Sequence, residues 1–263
     1  MMIYAGIDAG SRAIKVVLID ADGSRIIGKA QADQGIEQGK LACGLFEKTL
    51  AESGVQRSNV RRIVATGYGR NTIEIADTTI TEITCHAVGV RHLAPEVRTI
   101  IDIGGQDSKL VRLDGNGKVR DFAMNDRCAA GTGRFLEVVA ERLGIPVGEL
   151  GALASRSTNP AAISSMCVVF AETEIIGLLS CGRPAEDIVA GVQNAIASRI
   201  VAMAGRSVET PILFTGGVAR IRGMETALQT ALGQPVAVSP EPQLTGALGA
   251  AILARRQSDS MHM

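Results

Sequence analysis

The sequence has no tryptophan, two tyrosines and five phenylalanines among its 263 residues. So few rings leave no platform on which successive bases could stack. Neither sign of charge prevails. Lys and Arg total 27, Asp and Glu total 27, and no basic field draws nucleic acid. No apolar run reaches the roughly 18 residues that a membrane span needs. The opening MMIYAGIDAG carries an acid at Asp8 and no basic stretch ahead of its apolar residues, so it does not read as a secretory leader. Together these absences predict a cytoplasmic protein without nucleic-acid or membrane partners. No C-x-x-C pair occurs, and the five cysteines (43, 85, 128, 167 and 181) are an odd number. A framework of disulfides is therefore not expected; the cysteines are thiols, or a minority of them are ligands. The Walker A pattern G-x-x-x-x-G-K-[ST] is also missing.

What is present is ordinary globular material, 46% hydrophobic and 21% charged, with 30 glycines at informative places. Residues 3–31 read as three short β-branched strands, with Asp22-Gly23 turning the second into the third. A helix is expected over 36–53, a buried strand over 61–67 and a helix over 79–93. The pattern then restarts. VRTIIDIGG (97–105) is a strand running into a glycine turn, and 107–114 and 118–125 flank a hairpin turn at Asp114-Gly115-Asn116-Gly117. Helices follow near 132–143, 170–180 and 185–206, then a strand at 211–217, a helix over 218–231, a strand near 235–239 and a last helix over 243–256. The tail RRQSDSMHM is expected to fray. A three-strand unit with a glycine-rich first turn thus occurs twice, a weak internal repeat. Hairpin strands follow each turn directly, which is not the order of a Rossmann half.

Three glycine clusters close predicted strands: Asp8-Ala9-Gly10-Ser11 with Lys15 beyond it, Asp102-Ile103-Gly104-Gly105-Gln106-Asp107, and Thr215-Gly216-Gly217-Val218. Glycine lets backbone approach an anion closely and turn N–H groups toward it. An Asp at the end of a strand can hold the waters of Mg²⁺. This arrangement resembles the phosphate-1, phosphate-2 and adenosine motifs of the actin and sugar-kinase ATPase superfamily. The resemblance implies an α/β protein of two ribonuclease H-like, actin-like ATPase domains with ATP in a cleft between them. Residues 1–96 with about 243–263 would form the first domain, and 97–242 the second. It also implies that Gly10, Ser11, Arg12 and Ala13 run along the phosphates and that Lys15 neutralises their charge. Asp8 and Asp102 would position Mg²⁺ and water, with Gln106 beside them as catalytic residues. Gly104, Gly105 and Gln106 would form the second phosphate turn. Gly131 and Gly133 join the cofactor-binding set, Gly216 and Gly217 would pack against adenosine, and Gln243 would reach the nucleotide from the start of the last helix. At position 12 the chain carries Arg where such ATPases often have a small hydroxyl residue.

Two cysteines stand before predicted helices: Cys128 in NDRCAAGTGRF and Cys167 in SSMCVVFAETE. A helix N-terminus favours a thiolate or another anion. One chain thus offers two thiols, whereas a 4Fe–4S cubane takes four, and a two-fold dimer would supply two from each copy. Spacing alone favours the plainer reading of two buried structural cysteines. These segments, with ATGYGRN (65–71), DIGGQD and FTGGV, resemble the ATP-dependent activator components of 2-hydroxyacyl-CoA dehydratases, with the ATP-binding subunits of benzoyl-CoA reductase as nearby relatives. The resemblance runs from about residue 3 to 254. It implies an ATPase coupled to one-electron transfer in an anaerobic setting. A homodimer would hold one 4Fe–4S cluster through Cys128 and Cys167 of each copy, with ferredoxin or flavodoxin as reductant and a dehydratase as acceptor.

The remaining candidates have plainer readings. Cys85-His86 are adjacent on a predicted helix and point about 100° apart, which suits one metal poorly. Cys43 and Cys181 read as helix-face or helix-end residues, and His92 and His262 have no partner pattern. Glu172 and Glu174 suit a helix start, and Tyr68 sits in a glycine-flanked loop. Two other functions remain open on sequence: a sugar or acyl kinase of the same superfamily with a carboxylate base and no cluster, and an actin-like polymer that binds ATP.

Overall fold

A computed structural model describes residues 1–23, 25–164, 167–205 and 208–260. The chain divides into two compact units. One comprises Met1–Glu96, Gly115–Val119 and Gln243–Met263; the other comprises Val97–Asp114 and Arg120–Pro242.

The sheet of the first unit is built from β1 (Ile3–Ala9), β2 (Ala13–Asp20), β3 (Ile26–Asp33), β4 (Val60–Thr66) and the two-residue β5 (Thr78–Thr79), in the order β3-β2-β1-β4-β5. β1 and β2 are buried almost throughout because both faces of the sheet are covered, which is why their sequences are apolar rather than alternating. The faces still separate by period two. Ile3, Ile7, Ile14, Val16, Leu18 and Ile63 pack with Leu45, Phe46 and Leu50 of α1 (Gln38–Glu52). Tyr4, Val17, Ile19 and Val64 pack on the other side with Leu248 and Ala251 of α8 (Thr245–Ser260) and Cys85 of α2 (Glu82–Leu93). α2, α8 and β1 approach closely through glycine. An added Cβ at Gly249 would lie 1.7 Å from the Cys85 carbonyl oxygen, at Gly89 2.0 Å from that of Thr245, and at Gly6 2.0 Å from that of Ala247.

The second unit repeats the topology. β6 (Thr99–Ile103), β7 (Ser108–Leu113), β8 (Val119–Asn125), β9 (Ile212–Thr215) and β10 (Val236–Val238) lie in the order β10-β9-β6-β7-β8. In each sheet the first hairpin is antiparallel and the crossover strand, β4 or β9, returns parallel to the first. Its core joins Ile101, Ile103, Leu110 and Phe214 to Phe135 and Val139 of α3 (Gly133–Leu143) and to Ile188, Val192 and Ile196 of α6 (Ala185–Ala204). α4 (Leu150–Ala154), α5 (Val168–Ser180) and α7 (Met224–Leu232) complete it. No described helix is long and apolar enough to cross a membrane.

The structure corrects several expectations from sequence. The helix expected over 218–231 begins as a separate 3-10 turn, Gly217–Arg220, and α7 starts only at Met224, because Gly223 sits at φ +90° between them. The segment expected to fray continues α8 as far as Ser260, and His262 lies outside the described residues. β5 and α4 are additional; two and five residues are too short to leave a periodic signal.

Candidate functional site

The end of β1 is the first place where chemistry gathers. Asp8 is 5% exposed and faces Lys15 across the β1–β2 ladder, with Nζ 3.2 Å from Oδ2. The turn between them is tight: the Gly10 N–H donates to Ala13 O at 3.1 Å, and an added Cβ at Gly10 would lie 2.8 Å from Lys15 Nζ. Ser11 is half-buried, Arg12 is exposed and Ala13 is buried. Gln34, just past β3, fastens this turn; its Nε2 donates to Gly10 O at 2.7 Å and its backbone N–H to Arg12 O at 3.0 Å. From the parallel neighbour, Thr66 pairs with Asp8, and Gly67 follows at φ +88°. A Cβ there would strike Asp8 Oδ1 at 2.4 Å and Ala9 O at 2.6 Å. His86 Nδ1 lies 2.9 Å from Thr245 Oγ1 at the start of α8. Gly246 keeps this corner open, since its Cβ would lie 3.1 Å from Asp8 Oδ2 and 3.3 Å from His86 Nε2. Gln243 is half-buried just ahead of that helix.

The end of β6 repeats the Asp, Lys, Thr and Gly of this arrangement in the same register. Asp102 is 4% exposed and pairs in register with Lys109 on β7 and with Thr215 on β9. Lys109 Nζ lies 3.5 Å from Asp102 Oδ2 and 2.7 Å from Asp107 Oδ2. Gly216 follows Thr215 at φ +91°, and its Cβ would lie 2.3 Å from Ile103 O and 2.8 Å from Asp102 Oδ1. The Gly216 N–H and the Thr215 hydroxyl both donate to Pro242 O, at 2.7 and 2.5 Å. Gly217 is exposed and opens the 3-10 turn. Lys109 and Gln34 were not singled out by sequence reasoning, and Thr66 and Gly67 entered only as part of the segment ATGYGRN. The repeat contained the signal for three of them: Lys follows the strand-ending Asp by the same interval in both halves, and Thr-Gly closes the crossover strand in both. Gln34 had no such signal.

Gly133 lies beneath the second turn, and Gly131 lies beside Asn125 and Cys128. The Gly133 N–H donates to Gly104 O at 2.9 Å, the Arg134 N–H to Gly105 O at 2.8 Å, and the Gly131 N–H to Cys128 O at 3.4 Å. The first donors of α3 thus hold the loop by its carbonyls. Gly104 and Gly105 are half-buried and Gln106 is exposed.

The same unit carries both candidate ligand cysteines. Cys128 is exposed and precedes the 3-10 turn Ala129–Gly131. The Asn125 amide grips its backbone from both sides: the Cys128 N–H donates to Oδ1 at 2.9 Å, and Nδ2 donates to Cys128 O at 2.7 Å. Cys167 is exposed and is the N-cap residue of α5, its carbonyl accepting from the Ala171 N–H at 2.9 Å. Ser165 and Met166, just before it, lie outside the described residues. Glu172 pairs with Arg142 of α3, and Glu174 accepts from the Ser164 N–H and hydroxyl at 2.9 and 2.8 Å. Both glutamates therefore tie α5 to its surroundings. Cys181 caps the far end of α5, Cys43 is half-buried on α1, and Cys85 is buried, which pushes its thiol up to about 12.

Two α/β units of one topology, each setting a buried Asp opposite a Lys beneath a glycine turn, have the architecture of the actin-like ATPase fold class. Comparison with known proteins gives the family. The BadF/BadG/BcrA/BcrD ATPase family matches residues 5–254, and the chain belongs to it. It is 44% identical to a 2-hydroxyisocaproyl-CoA dehydratase activator of Clostridioides difficile, over 96% of this chain and 95% of that one. It is 42% identical to the (R)-2-hydroxyglutaryl-CoA dehydratase activating ATPase of Acidaminococcus fermentans, over 98% of this chain and 99% of the relative. Among solved structures, the activator of the Clostridium difficile 2-hydroxyisocaproyl-CoA dehydratase with bound ADPNP superposes with a TM-score of 0.94. Identity there is 42%, over 99% of this chain and 97% of that one.

Proposed function

We propose that the chain is an ATP-dependent activator that passes single electrons to a 2-hydroxyacyl-CoA dehydratase. The observation that carries this reading beyond a generic ATPase is the pair of exposed thiols, Cys128 and Cys167, on the unit that also bears the second phosphate loop. A kinase of the same superfamily would need no cluster. Their chemistry fits an iron–sulfur cluster: both are unbridged, both are accessible, and Cys167 stands at a helix N-terminus that favours negative charge. Among the described residues of one chain, no group of three or more His, Cys, Asp or Glu is placed to hold a metal ion. Two copies would therefore supply the four thiolates of one 4Fe–4S cluster in a homodimer. When bound, the cluster supplies the electron, refilled by ferredoxin or flavodoxin.

The protein's own part is to bind nucleotide and change shape with it. Asp8 and Asp102 are the carboxylates that would position Mg²⁺ through water, and Lys15 is the cation offered to phosphate at the first turn. Ser11, Arg12 and Ala13 flank that phosphate, Gly105 and Gln106 belong to the second, and Gly216 and Gly217 to adenosine, with Gln243 nearby. Such a change of shape requires ATP and ADP to differ in affinity for two conformations, which shifts their populations. α3 meets the second phosphate turn through Gly133 and Arg134, and meets α5 through Arg142 and Glu172.

Anaerobic purification with iron and acid-labile sulfide analysis tests the reading. About four of each per dimer are expected. Cys128→Ser and Cys167→Ser should each lose the visible absorbance while still binding ADPNP. Variants that keep their iron would refute the ligand assignment.

A further inference from the structure

The two Asp–Lys pairs occupy the same register position but do not have the same surroundings. In the first unit, the residue five beyond the strand-ending acid is Ala13, the Lys15 side chain is 15% exposed, and its ammonium lies against Gly10. In the second, the corresponding residue is Asp107 and the Lys109 side chain is 4% exposed. There the glycine faces a carboxylate instead: a Cβ on Gly104 would lie 2.5 Å from Asp107 Oδ1. The Gly104 N–H also donates to Asp107 O at 2.9 Å, so Asp107 is part of the turn itself. Two carboxylates converge on one ammonium that is nearly sealed from water. Without a cation between them they would repel each other and any phosphate brought to the turn.

We propose that Lys109 is a built-in monovalent cation: its ammonium takes the place that a potassium-sized ion would otherwise fill between Asp102 and Asp107, and it holds the 104–107 turn in the shape that accepts phosphate. This rests on the nucleotide role proposed above. Lys15, with one acid and more access to water, is the lysine offered to the ligand. Lys109 is a positioning residue that acts through Asp102 and Asp107. The charge is carried on the chain, so the protein needs no particular monovalent salt.

The test uses the full-length protein in potassium, ammonium and tetramethylammonium chloride at equal ionic strength. ADPNP affinity and the melting temperature of the nucleotide-free protein are read in each. Wild type is expected to give the same values in all three. Lys109→Ala is expected to lose at least about tenfold in ADPNP affinity in tetramethylammonium and to recover most of it in potassium or ammonium, small cations that fit the space left by the ammonium. Its nucleotide-free form should melt several degrees higher in those two salts. Lys109→Met fills the space without charge and should lose affinity with no rescue, whereas Lys109→Arg should stay within a few fold of wild type. If Lys109→Ala does not fold, the Met and Arg variants carry the test, and a Met variant that binds like wild type overturns the proposal. An alanine variant that binds normally in tetramethylammonium overturns it, as does one that loses affinity equally in every salt. Should wild type itself bind no ADPNP, the proposed function fails, while the ion-specific melting shift still decides the role of Lys109.

Discussion

Lys15 and Lys109 occupy one register position in two related turns and yet meet different surroundings. Ala13 leaves Lys15 beside a single carboxylate at a half-open turn, whereas Asp107 draws Lys109 inward. Cys85 is a second case in which surroundings outweigh residue type. An exposed thiol on α2 would titrate near 9, but burial raises this one to about 12. At pH 8, iodoacetamide is expected to label Cys128, Cys167 and Cys181 of the metal-free protein and to spare Cys85 until the chain unfolds. The same shift sets a pH dependence. Between pH 9 and about 12 the folded thiol keeps its proton while the unfolded one releases it. The folded chain then binds the extra proton, so stability falls as pH rises through that window and is untouched below it. Cys85→Ala should flatten the alkaline limb of a melting-temperature profile; a limb of unchanged slope would refute the assignment.

At the scale of elements, the first unit depends on how closely α8 approaches α2 and β1. Gly249, Gly89 and Gly6 let backbone meet backbone, and no side chain fits there. Gly249→Ala would drive a Cβ to within 1.7 Å of the Cys85 carbonyl oxygen, so the helices must separate. Overpacking of this kind costs about 1–3 kcal/mol where a core can yield, and more where backbone must move. The urea midpoint should fall by the equivalent of about 3 kcal/mol or more, and a midpoint within experimental error of wild type would show that α8 can shift freely. The sequence made most of these elements legible because their periods are long enough to read: the strands of both hairpins and the helices α1, α3, α5, α6 and α8 lie within a few residues of expectation. The failures were local. α7 starts late because Gly223 turns left-handed, and β5 exists because β4 offers it a free edge, which no stretch of two threonines announces.

At the scale of the whole molecule, α5 presents apolar side chains to solvent. Val169, Phe170 and Ile176 on α5 are 67%, 70% and 46% exposed, beginning two residues after Cys167. If a second copy completes the cluster, these side chains belong to that contact, and Phe170→Ser should shift sedimentation from dimer to monomer and lower iron content while ADPNP binding persists. A dimer of full iron content would show that the contact lies elsewhere. The sequence by itself determined the glycine turns, the acids that precede them, the lysine after the first, and the two cysteines ahead of helices, because each is written in neighbouring residues. Only the tertiary structure decided which of these differ in their surroundings. It paired Asp8 with Thr66 and Asp102 with Thr215 across parallel strands, brought Gln34 back onto the first turn, and set α3 under the second. It also left the Lys15 side chain 15% exposed and the Lys109 side chain only 4% exposed. Such distinctions arise from burial and from contacts between residues far apart in the chain, which local spacing does not encode.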